Sequence, residues 1–220
     1  MDFLQPYIYV IVLSFLISLN VYLKRSSSYY YLKYFAPFLF VTACVETYAA
    51  YLRSQNKHNT QIYNIFSLIE FAFYFSILAL VTKDKLWKKV ILISIPVYLI
   101  LALINIFFIV EKDHLHTLTY CLGSVMIAVY CIHYFMELFR QAEWGRLTNN
   151  PAFWICSGLL FFYCCGFFYF GLMNYWIQNP KLFFLLNYYL LITNTLNIAL
   201  YTLFSIAFLC SRARKYTLSP

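Results

Sequence analysis

The chain has 220 residues, 63% of them hydrophobic and 11% charged, with a formal net charge of +8. Soluble domains carry roughly 45–50% apolar and about 25% charged residues, so this composition excludes a soluble globular fold. It also removes the nucleic-acid reading that a basic chain would otherwise invite, because the positive charge sits between long apolar runs.

Those runs recur along the whole length. Each of about 18 residues or more can cross a hydrocarbon core of about 30 Å as a helix. The first covers 3–23 and is followed by Lys24-Arg25; Met1-Asp2-Phe3 lacks the basic start of a signal peptide, so a retained helix is expected. The second covers 34–52 and carries Glu46. The third, 61–82, carries Glu70. The fourth, 90–110, contains Pro96, which is expected to kink it. The fifth, 118–138, holds His133 and Glu137 four residues apart near its end. Asn149-Asn150-Pro151 precedes the sixth, 153–177, and Gln178-Asn179-Pro180 precedes the seventh, 182–210; both read as a cap followed by a first-turn proline. The expected fold is all-α: one polytopic transmembrane domain over residues 1–220, a bundle of seven helices.

Orientation follows from the basic residues. Twelve fall on one set of connections: Lys24, Arg25 and Lys33; Lys83, Lys85, Lys88 and Lys89; Arg140 and Arg146; Arg212, Arg214 and Lys215. Four fall on the other: Arg53, Lys57, Lys112 and Lys181. The richer set marks the cytoplasmic side, which puts the N-terminus outside and the C-terminus in the cytoplasm. Aromatics make up 22% of the chain, and clusters such as Tyr29-Tyr30-Tyr31, Trp87, Trp144 and Tyr175-Trp176 at span ends read as interfacial anchors. A 3 + 1 + 3 duplication finds no support, because 37–40 and 152–155 share only apolarity. The seven cysteines lack C-x-x-C spacing and read as small buried hydrophobes.

In a bilayer the polar residues carry the information. Glu46 and Glu70 lie roughly 9 and 13 Å from the outer ends of their helices at the usual rise per residue, with no Lys or Arg deep in any span to pair with. Either they are protonated, or they line a wet cavity, or they hold a cation or an amine; the plainer alternative is hydrogen bonding that fixes helix packing. Tyr63, Ser67, Glu70 and Tyr74 share one face of the third helix. In the seventh, Asn187, Asn194, Asn197, Tyr201 and Ser205 fall within a sector of roughly 80°, interrupted by Leu190. The expected cavity therefore joins Glu46, Asn64 and Glu70 to Asn194, Asn197 and Tyr201, with Asn187 its least secure member. His133 and Glu137 form a secondary polar pair with Arg140 close by, read as a local ion pair, with a proton relay as the alternative. The loop Glu111-Lys112-Asp113-His114-Leu115-His116 has metal-like residue types but no zinc spacing, so a solvated loop with dispensable histidines and no metal is expected. No lysine lies in the seventh span to carry a retinal, no catalytic or phosphate-binding motif is present, and no nucleophile–base pair can be assembled, so no enzyme and no cofactor are expected.

Tyr63-Asn64-Ile65-Phe66-Ser67-Leu68-Ile69-Glu70-Phe71, preceded by Glu46, resembles a group of small seven-helix membrane proteins of Bacteroidota. So do Phe153-Trp154-Ile155 followed by Gly158, and Leu196-Asn197-Ile198 followed by Tyr201. Some of those proteins resemble the membrane portions of bacterial sensor kinases. The resemblance implies a bacterial inner membrane, gives weight to Glu46, Asn64, Glu70, Trp154, Asn197 and Tyr201, and implies no activity.

The resulting expectation is a receptor-like or sensory membrane module. It binds a small ligand, cation or lipid in an outer-facing polar cavity and signals through a separate protein or a second copy of itself. The alternative is a small transporter or channel with Glu46 and Glu70 as proton or cation sites. A path crossing the whole bundle favours transport, and a cavity closed on the inner side favours sensing.

Overall fold

The computed structural model describes residues 5–23, 29–110, 114–140, 144–179, 181 and 183–216. Lipid offers no partners to a bare backbone, so a chain this apolar must satisfy its peptide groups within helices. It does so in α1 (Pro6–Leu23), α2 (Phe35–Ser54), α3 (Thr60–Val81), α4 (Lys85–Ile104), α5 (Thr117–Arg140), α6 (Pro151–Gly171), a short α7 (Met173–Gln178) and α8 (Tyr189–Tyr216). No strand occurs among the described residues. Seven helical stretches are long and apolar enough to cross a membrane, the sixth of them running from α6 into α7 (Pro151–Ile177).

Local chemistry sets several boundaries. Asp84 caps α4 by accepting from the Leu86 and Trp87 amides. Asn150 accepts from the Ala152 amide, with Pro151 at the first helical position of α6, as that triplet predicts. The second such triplet works differently. Asn179 donates its Nδ2 to the Tyr175 carbonyl and closes α7. The last span then begins after a 3₁₀ turn, Phe183–Tyr188, so its α-helix starts at Tyr189 and not at Leu182. Pro96 sits inside α4 without ending it. The pattern changes further on, to a π turn over Asn105–Ile109, where Asn105 is buried with its Oδ1 unpartnered.

Six of the long helices close a ring in the order α1, α2, α3, α5, α6, α8, and α4 packs outside it against α3 and α5. Small residues permit the close approaches. A Cβ on Gly158 of α6 would lie 3.3 Å from both Leu200 Cδ1 and Leu203 Cβ of α8. A Cβ on Gly123 of α5 would come within 2.6 Å of the Phe71 ring of α3.

The ring is filled at its middle by aromatic side chains, and at its Lys83 end a separate hollow of about 340 Å³ opens between Tyr31, Lys83, Tyr134 and Glu137. Phe35, Tyr74, Phe204 and Phe208 are fully buried. The Phe35 ring meets Phe204 and Phe208 edge-on at 5.3 and 5.4 Å, and Phe38 stacks on Phe73 at 3.8 Å. Such pairs add to the burial of their area, and together they make a solid floor. Above it, toward the Arg53 end, the packing opens.

Candidate functional site: an acidic, aromatic cavity

A cavity of about 130 Å³ lies inside the ring, and every ring helix contributes to its wall. Tyr7 comes from α1 and Glu46 from α2. Tyr63, Phe66, Ser67 and Glu70 come from α3, the face the sequence periodicity marks. Thr117 and Tyr120 of α5 join Leu115 and His116 just before it, and α6 adds Phe162 and Phe170. From α8 come Tyr189, Thr193, Asn197 and Tyr201 at a strict four-residue spacing. No Lys or Arg lines it.

Glu46 is held firmly. Tyr7 and Tyr63 both donate their hydroxyls to its Oε2, at 2.6 and 3.1 Å. A phenol–carboxylate contact that short has the length of a charge-assisted bond. Arg53, two turns further along α2, lies within its electrostatic range, a partner the sequence reading did not assign. Glu70 sits deeper, at mid-helix. The Tyr74 and Tyr163 hydroxyls stand beside it, yet neither closes a hydrogen bond of standard geometry. Glu70 is half-buried although it lies inside the bundle, because its accessible surface is cavity surface. The two carboxylates thus share one space, one tied down and one loosely held.

The roof comes from the segment before α5. Asn64 is buried and grips it twice, donating Nδ2 to the His114 carbonyl at 3.0 Å and accepting from the His116 amide at 3.3 Å. The His116 ring, 3% exposed, bridges α3 and α5: Nε2 lies 2.6 Å from Ser67 Oγ and Nδ1 lies 2.7 Å from Thr119 Oγ1. Burial pushes His116 down to about 4, so it is neutral at pH 7. The solvated-loop expectation therefore fails for His116. Its partners lie 49 and 3 residues away, and the sequence does not reveal the distant one. Ser67–His116 is also a hydroxyl–imidazole pair that sequence reasoning did not assemble. Its geometry is that of a fastener: Ser67 also donates to the Asn64 carbonyl at 2.9 Å, and Nδ1 meets a threonine hydroxyl where a catalytic pair has a carboxylate.

The chain matches no family model, no curated protein and no solved structure. The site must therefore be read from its own geometry.

Of the residues singled out from the sequence, the structure brings Glu46, Glu70, Asn197 and Tyr201 to this cavity. Four others are placed elsewhere or lie beyond description. Asn64 stands behind the wall and holds the roof. Asn194 turns to α1, donating Nδ2 to Gln5 Oε1 at 3.2 Å, because the cavity face of α8 runs through 193 and 197. Trp154 lies at the opposite end of α6, donating Nε1 to the Thr148 carbonyl. The Asn187 side chain lies outside the described residues. The secondary pair His133 and Glu137 does not pair internally. His133 stacks on Trp87 at 4.2 Å, and both Glu137 carboxylate oxygens accept from the Lys83 amide at 3.1 Å. Each is drawn to the start of α4, a neighbour that helical spacing within α5 cannot show. The polar cavity residues missed from sequence are Tyr7, His116, Thr117, Tyr120, Tyr189 and Thr193; only the 189–193–197–201 spacing offered a signal for the last two.

Proposed function

We propose that the protein is a receptor-like membrane module that binds a small molecule in this cavity and passes its state to a separate partner. The observation that carries the reading is one cavity, walled by all six ring helices, that holds the carboxylates of Glu46 and Glu70 and ends on a packed aromatic floor. A ligand that touches every ring helix can bias how they pack, which is what a sensor needs. The floor of Phe35, Tyr74, Phe204 and Phe208 favours binding over passage. With the twelve basic residues toward the cytoplasm, the cavity faces outward, the N-terminus lies outside and the C-terminus inside. The sequence resemblance to small seven-helix membrane proteins of Bacteroidota points to a bacterial inner membrane and carries no activity of its own.

The second reading is a proton- or cation-coupled transporter, favoured by Glu70 itself, a carboxylate at mid-bundle. Sealed proteoliposomes separate the two. The receptor reading expects no protein-dependent proton or monovalent-cation flux under an imposed potential. A flux that disappears in Glu70→Gln would move the assignment to transport.

A further inference from the structure

Resting on the receptor reading, we infer that the ligand is a small organic ammonium ion, seated between Glu70 and the aromatic rings of the cavity. The donor chemistry of the wall disfavours anions and divalent metals. Two carboxylates with no lining Lys or Arg oppose an anion. Calcium and magnesium take about six or more oxygens, often several of them carboxylate, and zinc takes about four nitrogen, sulfur or oxygen ligands. Among the described residues no three His, Cys, Asp or Glu side chains gather to hold one.

An organic cation suits what is present. Half of the lining residues carry a phenyl or phenol ring, and the faces of such rings attract ammonium groups, as in the aromatic cages that bind choline or methyl-lysine. The carboxylates supply the countercharge. Glu46, already engaged by Tyr7 and Tyr63 with Arg53 near, is the fixed part of the site. Glu70, with looser neighbours, is the group a cation would pair with directly. Asn197 and Thr193 add polar atoms on the opposite wall; the Thr193 Oγ1 is buried beside Tyr189 and closes no hydrogen bond of standard geometry among the described residues.

Size narrows the class. A cavity of about 150 Å³ accepts benzene, so about 130 Å³ suits a tetramethylammonium- or choline-sized cation. An ammonium of this kind can arrive free in solution or as the headgroup of a lipid, and the same wall would recognise both.

The experiment is a binding titration on purified full-length protein in phosphatidylglycerol nanodiscs. The probes are tetramethylammonium and choline, with 3,3-dimethylbutan-1-ol as the neutral isostere of choline. Saturable binding of the cations is expected, with the isostere at least about tenfold weaker. Glu70→Gln should weaken the cations at least about tenfold while leaving the isostere unchanged. Tyr120→Leu, which removes a ring and no charge, should also weaken them, so the test survives if one variant misfolds. Adding phosphatidylethanolamine to the nanodiscs should lower the apparent affinity if the lipid headgroup is the natural occupant and leave it unchanged if the ligand is free; both results uphold the ammonium assignment. Equal binding of the isostere, or undiminished cation binding to Glu70→Gln, overturns that assignment and leaves a cavity receptor standing. Absence of saturable binding by every probe, charged or neutral, overturns the receptor reading as well.

Discussion

Asn64→Ala tests how the roof of the cavity is held. The wild-type side chain is buried and makes one bond to the His114 carbonyl at 3.0 Å and one from the His116 amide at 3.3 Å. Alanine leaves both backbone groups without that partner in a buried site. An unsatisfied group of this kind costs about 1–3 kcal/mol. The longer bond is the weaker, which gives a combined loss of about 2–4 kcal/mol. Asn64→Asp keeps an acceptor for the His116 amide and loses the donor to His114, so about half of that loss is expected. Equilibrium unfolding in mixed detergent and SDS micelles measures the stability. Hydrogen exchange over residues 114–117 locates the effect, with the His116 amide exchanging about two orders of magnitude faster if opening is local. A loss below about 0.5 kcal/mol with unchanged exchange would show that these bonds do not hold the roof.

Three further outcomes follow from single features. His116, pushed down to about 4 by burial, has a folded value below its unfolded value of 6.5. The unfolded chain then binds the extra proton between these values, so the stability His116 contributes is full above about 6.5 and falls by up to about 3 kcal/mol as pH drops to about 4; His116→Gln should flatten this part of the pH–stability curve, and matching curves would refute the assignment. Gly123→Ala must displace the Phe71 ring, which is fully buried against Tyr98, Tyr120 and Tyr163; a loss of about 1–3 kcal/mol is expected in the same unfolding assay, and a neutral substitution would mean that the ring moves aside freely. Compartment reporters fused to each end should place the N-terminus outside and the C-terminus in the cytoplasm; both ends on one side would end the topology drawn from the twelve basic residues.

How far the sequence could lead is visible in particular helices. Seven apolar stretches are legible from length alone, because a bilayer sets a minimum span that no soluble core imitates. The α3 face through Tyr63, Ser67 and Glu70 is legible from spacing, since one helix determines which of its own residues align. On α8 the polar stripe suggested a face through 187, 194, 197, 201 and 205, whereas the cavity sees 189, 193, 197 and 201. The difference is a modest rotation about the helix axis. It is set by the packing of α8 on α1 and α6, including Asn194 to Gln5 and the close approach at Gly158. His116 was hidden for a related reason: its burial depends on Asn64 and Ser67, about fifty residues earlier, and residue types in a loop do not disclose a distant partner. The start of the last span shifted because a 3₁₀ turn took up the residues that read as its first turn.

A receptor of this kind requires a cavity that opens to one side of the bundle and stops at the aromatic floor. Side-specific cysteine labelling in sealed, oriented vesicles measures this directly. In a background with the seven native cysteines replaced, Asn197→Cys probes the cavity wall and Phe208→Cys probes the packed half below it. A membrane-impermeant thiol reagent should modify position 197 from the side of Arg53 alone, at a rate that falls when tetramethylammonium is present, and should leave position 208 unmodified from that side. Modification of position 197 from both sides would mean a continuous path through the bundle, and the receptor reading would give way to transport.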